Sequence, residues 1–118
     1  MAEPMKRVST HILDIAHGMP ANDVSVQLER QEKSGSWSVL ASARTDRDGR
    51  CANLLHEDAI LAAGVYRLSF DTAGYYSAQK VEGLYPVIHI TFAVRDGESL
   101  FHIPLLLAQN GYTTYRGS

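Results

Sequence analysis

The chain contains one cysteine, Cys51, so no disulfide can form within it. A lone cysteine of this kind reads as a small packed residue rather than a nucleophile. Long apolar runs are missing too. Stretches such as Ile103–Ala108 fall far short of the roughly 20 residues that a membrane-spanning helix needs. Charge of one sign is not in excess: 11 Lys+Arg against 13 Asp+Glu give a net charge of −2, with no basic run. That balance argues against nucleic acid or an anionic membrane as partner. No apolar segment follows Met1–Arg7, which bears Glu3, Pro4, Lys6 and Arg7, so no signal peptide is read and a cytoplasmic setting is expected. Phosphate-cradling loops, zinc-finger spacings and nucleophile elbows are all lacking.

What is present suits one globular domain: 118 residues, 45% hydrophobic and 20% charged. Residues 1–7 read as a flexible N-terminus and 8–118 as a single domain. Alternation of apolar and polar residues marks strands. It opens at Val8–Leu13 and returns at Val24, Val26 and Leu28, then at Trp37, Val39 and Ala41. Turn formers separate these runs, in A-H-G-M-P-A-N-D (16–23), E-K-S-G-S (32–36) and T-D-R-D-G-R (45–50). A short strand is expected near Cys51–Leu55. His56–Ala63 reads as a turn or two of helix with Gly64 as its cap, and Asp71–Lys80 as a second short helix. Val65–Phe70 is a strand. From Pro86 a strong strand sets Val87, His89, Thr91 and Ala93 on one face and Ile88, Ile90, Phe92 and Val94 on the other. Asp96-Gly97 is a hairpin signal. Phe101–Leu107 and the stretch from Tyr112 complete seven or eight strands with no βαβ rhythm. The expected fold is all-β: two antiparallel sheets packed face to face in a Greek-key β-sandwich, with one short helix.

The chemistry-bearing residues are polar groups set in apolar strands. His11 lies in S-T-H-I-L-D, His89 in V-I-H-I-T-F, His102 in F-H-I-P-L-L-L, and Arg50 closes the D-G-R turn. Each histidine on its own reads as a satisfied core residue. Three imidazoles, with Asp14 and His17 in reserve, also suit zinc. A metal-free use is the alternative at this point. A histidine can take a proton from water and return it to a leaving nitrogen, while an arginine holds a developing oxyanion. The closing Y-T-T-Y-R-G-S (112–118) is either the end of a last strand or a functional segment.

S-T-H-I-L-D-x-A-H-G-x-P-A (9–21), D-R-D-G-R (46–50), F-H-I-P-L-L-L (101–107) and the terminal Y-R-G-S, in this order, resemble the 5-hydroxyisourate hydrolases, the purine-catabolic branch of the transthyretin-like family. The resemblance spans about Val8 to the last residue, and Y-R-G-S is its most specific element. It implies hydrolytic ring opening of 5-hydroxyisourate to 2-oxo-4-hydroxy-4-carboxy-5-ureidoimidazoline, in urate breakdown, with no cofactor and no metal. By the same resemblance His11, Arg50, His102 and Ser118 are catalytic, and His11, Arg50, Tyr115 and Arg116 bind substrate. His102, supported by Ser118, is expected to activate water. His17, His56 and His89 fall outside the family's site and read as structural or peripheral. One departure, A-Q-N-G at 108–111, lies before the last strand and leaves the matched residues untouched. The resemblance further implies a homotetramer, a dimer of dimers with its sites at the subunit interface. Strands 88–94 and 101–107, apolar on both faces, agree with a sheet covered by a partner. The rival within the same family is a small-molecule carrier of transthyretin type without catalysis. Such carriers lack the terminal Y-R-G-S and the histidine–arginine set.

Overall fold

The computed structural model describes residues 6–56 and 58–118. Two sheets face each other. The first holds β1 (Arg7–Asp14), β2 (Met19–Pro20), β5 (Arg50–Cys51), β8 (Leu100–His102), β9 (Leu105–Ala108) and β10 (Gly111–Thr114). The second runs in the order β4 (Trp37–Arg44), β3 (Ser25–Gln31), β6 (Gly64–Phe70), β7 (Ile88–Val94), all antiparallel. One helix, α1 (Thr72–Ala78), follows β6. The expected sandwich is therefore present. Its one departure from an antiparallel plan is at the centre of the first sheet, where β1 runs parallel to both β8 and β9.

Period-two alternation decides what each strand buries. Val8, Thr10, Ile12 and Asp14 of β1 turn inward, with Leu105 and Leu107 of β9. They meet Val26 and Leu28 of β3 and Tyr66, Leu68 and Phe70 of β6, which are fully buried. Each such side chain contributes about 1.5–3 kcal/mol by leaving water. The opposite face of β1 carries Arg7, Ser9, His11 and Leu13, and this face bears the chemistry described below.

Four sequence expectations need correction. No helix forms among the described residues of 56–63; the segment is a loop in which Ile60 is exposed, because no apolar stripe there finds a surface to cover. The strand near Cys51–Leu55 shrinks to Arg50–Cys51. Asp96-Gly97 forms a turn, but the strands on either side belong to different sheets, so it is a crossover and not a hairpin. The single strand 101–107 is split into β8 and β9 around Pro104, which has no N–H to give the ladder. The other short helix is where the sequence put it, capped by Asp71, whose Oδ1 accepts from Gly74 N–H at 3.0 Å. β1 begins at Arg7, within the segment expected to be flexible, and that expectation for residues 1–5 lies outside the described residues. Among the described residues no helix is long and apolar enough to cross a membrane.

A buried carboxylate ties the helix to β1. Asp14 is 1% exposed. Its Oδ2 accepts from Tyr75 O–H on α1 at 2.7 Å and from His17 Nδ1 at 2.8 Å, while Oδ1 accepts from His17 N–H at 3.1 Å. Burial pushes the Asp14 carboxyl upward, but the hydrogen bonds from Tyr75 and His17 outweigh it and leave the group below its ordinary value. Tyr75, buried and bonded to that carboxylate, is pushed up to about 12. A carboxyl depressed in the folded state stabilises the fold above its unfolded pKa, and that contribution is lost as pH falls through the folded value. Tyr75→Phe should therefore lower stability at pH 7 by about 1–3 kcal/mol, the cost of an unsatisfied buried acceptor. The gap between parent and variant should narrow once Asp14 is protonated in acid. Urea unfolding at neutral and acid pH checks both, and a gap independent of pH would assign the loss to packing instead.

Candidate active site

The D-R-D-G-R turn is built to deliver Arg50. Asp46 Oδ1 accepts from Asp48 N–H at 2.9 Å and from Arg50 N–H at 3.0 Å. Gly49 N–H donates to Asp46 O at 2.9 Å, and Gly49 O accepts from Ile12 N–H at 2.7 Å. Gly49 sits at φ +75°, and a Cβ there would stand 2.3 Å from Ile12 O. Glycine is required on both counts, by the left-handed backbone and by the close approach to β1. Arg50 then pairs directly opposite His11, so both share the outward face of β1.

On the other edge of β1, Ser9 pairs with His102. Their side chains meet: Ser9 Oγ lies 2.9 Å from His102 Nδ1 and 3.5 Å from Phe101 O. The sequence reading supported His102 through Ser118; the hydroxyl that holds the ring is Ser9. Ser9 could have been found from sequence, because it stands two residues before His11 on the same strand face.

The last residues return over β8. The β9–β10 register pairs Thr114 with Leu105, and three residues further along each strand Gly117 pairs with His102. Between these two pairs stands Pro104, which has no N–H to donate. Thr114 Oγ1 donates to Pro104 O at 2.7 Å, and Gly117 N–H donates to His102 O at 2.7 Å. A Cβ on Gly117 would lie 2.5 Å from His102 Cδ2, so only glycine lets the chain pass against this ring. Arg116 faces the other way. Its guanidinium lies 4.7 Å from the Phe101 ring centroid and donates to Glu98 Oε2 and Leu100 O, both at 3.1 Å.

These elements enclose a cavity of about 320 Å³. Arg50, His102 and Ser118 line it, with Arg7, Ser9, Thr10, Cys51 and Gly117. His11 is not in its wall but stands across from Arg50 and close enough to act on His102 electrostatically. Tyr115 and Arg116 line a separate, mostly apolar groove with Ile90, Phe92 and Phe101. Cys51 is buried, and burial pushes its thiol up to about 11, which keeps it inert at neutral pH. Among the described residues no group of three or more His, Cys, Asp or Glu could hold a metal ion. His89 lies on β7 in the other sheet, and Asp14 faces the core, so the zinc set open in the sequence does not converge.

Burial first, then the charges of His11 and Arg50, hold His102 below its ordinary 6.5. The ring is accordingly neutral at pH 7 and able to accept a proton. Its NMR titration should have a midpoint below 6.5, and Arg50→Gln should raise that midpoint without restoring it fully, since burial remains. A midpoint that ignores Arg50→Gln would show that the guanidinium charge does not reach the ring.

Three comparisons bear on this geometry. A family model described as HIUase/Transthyretin family matches residues 8–117. The 5-hydroxyisourate hydrolase of Mus musculus is 40% identical over 119 residues, covering all of both chains. That of Salmonella dublin is 43% identical over 94% of this chain and 80% of its own length. Among solved structures, Klebsiella pneumoniae 5-hydroxyisourate hydrolase superposes with a TM-score of 0.83 at 38% identity, covering 97% of this chain and 100% of that one. Sea bream transthyretin in complex with thyroxine gives 0.86 at 31% identity, covering 94% of each chain.

Proposed function

The chain belongs to the HIUase/transthyretin family, and we propose that it is an enzyme of the hydrolase branch that opens the ring of 5-hydroxyisourate. Backbone likeness does not separate hydrolase from carrier, since both superpose well. The observation that carries the reading is the convergence of a proton-accepting histidine, a guanidinium and a chain-end hydroxyl on one cavity, His102, Arg50 and Ser118.

The chemistry follows from the residue types. Ser9 Oγ–H has an acceptor in Phe101 O, which leaves its lone pair for His102 Nδ1–H and the Nε2 lone pair for water. His102 takes a proton as water adds to the ring carbonyl carbon. Arg50, assisted by His11, holds the oxyanion of the tetrahedral intermediate. The carbon–nitrogen bond then breaks, the nitrogen takes back the proton from His102, and the new carboxylic acid releases its own proton to solvent to leave a carboxylate. Ser118 orients the attacking water, whereas Tyr115 and Arg116, expected to bind substrate, face the separate groove and are given no part in this step. Ultraviolet decay of freshly made 5-hydroxyisourate should accelerate in the presence of the protein. Arg50→Lys keeps the charge but loses the planar fork, so kcat/KM should fall at least about tenfold, the scale of a charge-assisted hydrogen bond. No acceleration by the parent protein would overturn the hydrolase reading in favour of a carrier.

The assembly we propose is a homotetramer, a dimer of dimers with the cavity at a subunit interface. Two features support it. β7 and β10 are sheet edges with unpaired backbone groups, and Ile15, Met19, Leu84, Tyr85 and Tyr112 are exposed. Light scattering should give about 52 kDa, four times the 13.0 kDa chain. A monomer at micromolar concentration would contradict it.

A further inference from the structure

Ser118 reaches the cavity at the end of a segment that has left its ladder. β10 stops at Thr114, and the backbone rejoins the sheet at the bridge between Gly117 and His102. Short terminal segments fray unless something ties them down. Arg116 supplies a tie on the side away from the cavity. Its Nη1 donates to Glu98 Oε2 and its Nη2 to Leu100 O, both at 3.1 Å, and its guanidinium lies 4.7 Å from the Phe101 ring centroid. All three partners stand in the four residues that lead into His102. Glu98 is held in turn. Its Oε1 accepts from Arg95 N–H at 3.0 Å, and its own N–H donates to Arg95 O at 3.1 Å. One carboxylate oxygen thus closes the turn around Asp96-Gly97, and the other takes Arg116. The bond from Arg95 N–H, and then that from Arg116, hold the Glu98 carboxyl below its ordinary value, so it stays ionised at neutral pH.

Arg116 is 54% exposed, and a surface ion pair adds little to global stability. What this one can do is restrict the two residues that follow. A group that orients water acts only at a fixed distance from it, and a small displacement lowers the rate steeply. We propose that Arg116 and Glu98 are positioning residues, a brace that holds the chain end against β8 so that Gly117 lies on the His102 ring and Ser118 is presented to the cavity. This rests on the hydrolase reading of the same cavity. It gives Arg116 a task that needs Glu98. An arginine that bound substrate directly would act on KM, and would do so with or without that carboxylate.

The test combines ¹⁵N relaxation of the Gly117 and Ser118 amides with steady-state kinetics on Arg116→Gln, Glu98→Gln and the double variant. The Gly117 order parameter should fall from about 0.85 in the parent to below about 0.6 in Arg116→Gln. The kcat should drop about tenfold or more, with KM within about twofold of the parent. Glu98→Gln offers one acceptor oxygen where two are used, so it should move both readouts the same way by less. The double variant should be no worse than Arg116→Gln, since both act through one contact. Arg116→Lys should recover part of kcat, because charge remains but the fork is lost. Melting temperatures should stay close to the parent's. A chain end as ordered in Arg116→Gln as in the parent would overturn the brace. So would a raised KM with unchanged kcat, or a Glu98→Gln variant that matches the parent in both order and kcat. If Arg116→Gln does not fold, Glu98→Gln decides by the same readouts. Relaxation is read without turnover. A protein that fails to hydrolyse 5-hydroxyisourate yet loses chain-end order in these variants refutes the reaction and keeps the brace. One that hydrolyses it with chain-end order indifferent to both residues refutes the brace and keeps the reaction.

Discussion

The site depends on β1 lying in the middle of its sheet, hydrogen-bonded to β8 and β9 along one edge and to β5 and β2 along the other. A strand bonded on both edges cannot slip, because a shift of one residue would turn its core face toward solvent. Here the core face carries Val8, Thr10, Ile12 and Asp14, all buried, so the register is strongly held. The opposite face is then fixed without further cost, and His11 meets Arg50 as Ser9 meets His102. The same two ladders that close the sandwich thus assemble the cavity.

Proline and glycine do local work that the ladders cannot. Pro104 interrupts the parallel strand and the β9–β10 ladder together, and the oxygens of Ile103 and Pro104 find Thr10 and Thr114 as donors. Beyond that break Gly117 rejoins the register against His102, where any larger residue would strike the ring. Gly49 plays the matching part on the other edge, against Ile12. Each glycine brings a backbone closer to β1 or β8 than a Cβ allows, and each stands next to a residue of the cavity.

The same sandwich is found in a 5-hydroxyisourate hydrolase and in a transthyretin in complex with thyroxine, so the fold supplies a frame and the side chains on it supply the chemistry. On this frame the cavity sets the Arg50 guanidinium beside the His102 imidazole, which burial and its neighbours His11 and Arg50 disfavour as a cation. Such a wall favours a ligand that is anionic, or becomes so during reaction. The carboxylate of Asp14 is kept away from it by strand alternation, on the core side, where Tyr75 and His17 satisfy it.

The amino-acid sequence by itself determined the strands with clean alternation and the helix after Asp71, because period-two patterning and capping are local properties. It also carried His11, Arg50, His102 and the chain-end segment as ordered motifs. It misread 56–63 as a turn or two of helix, since good helix formers without a surface to pack on do not hold one. It also missed Ser9 as the partner of His102, and it could not see Tyr115 and Arg116 part from Ser118 into a second groove. Those were decided by tertiary structure alone, because they rest on which strands become neighbours. Residues 9 and 102, or 117 and 102, share a face only after β1, β8 and the chain end are laid side by side, and no local propensity encodes a pairing over that separation.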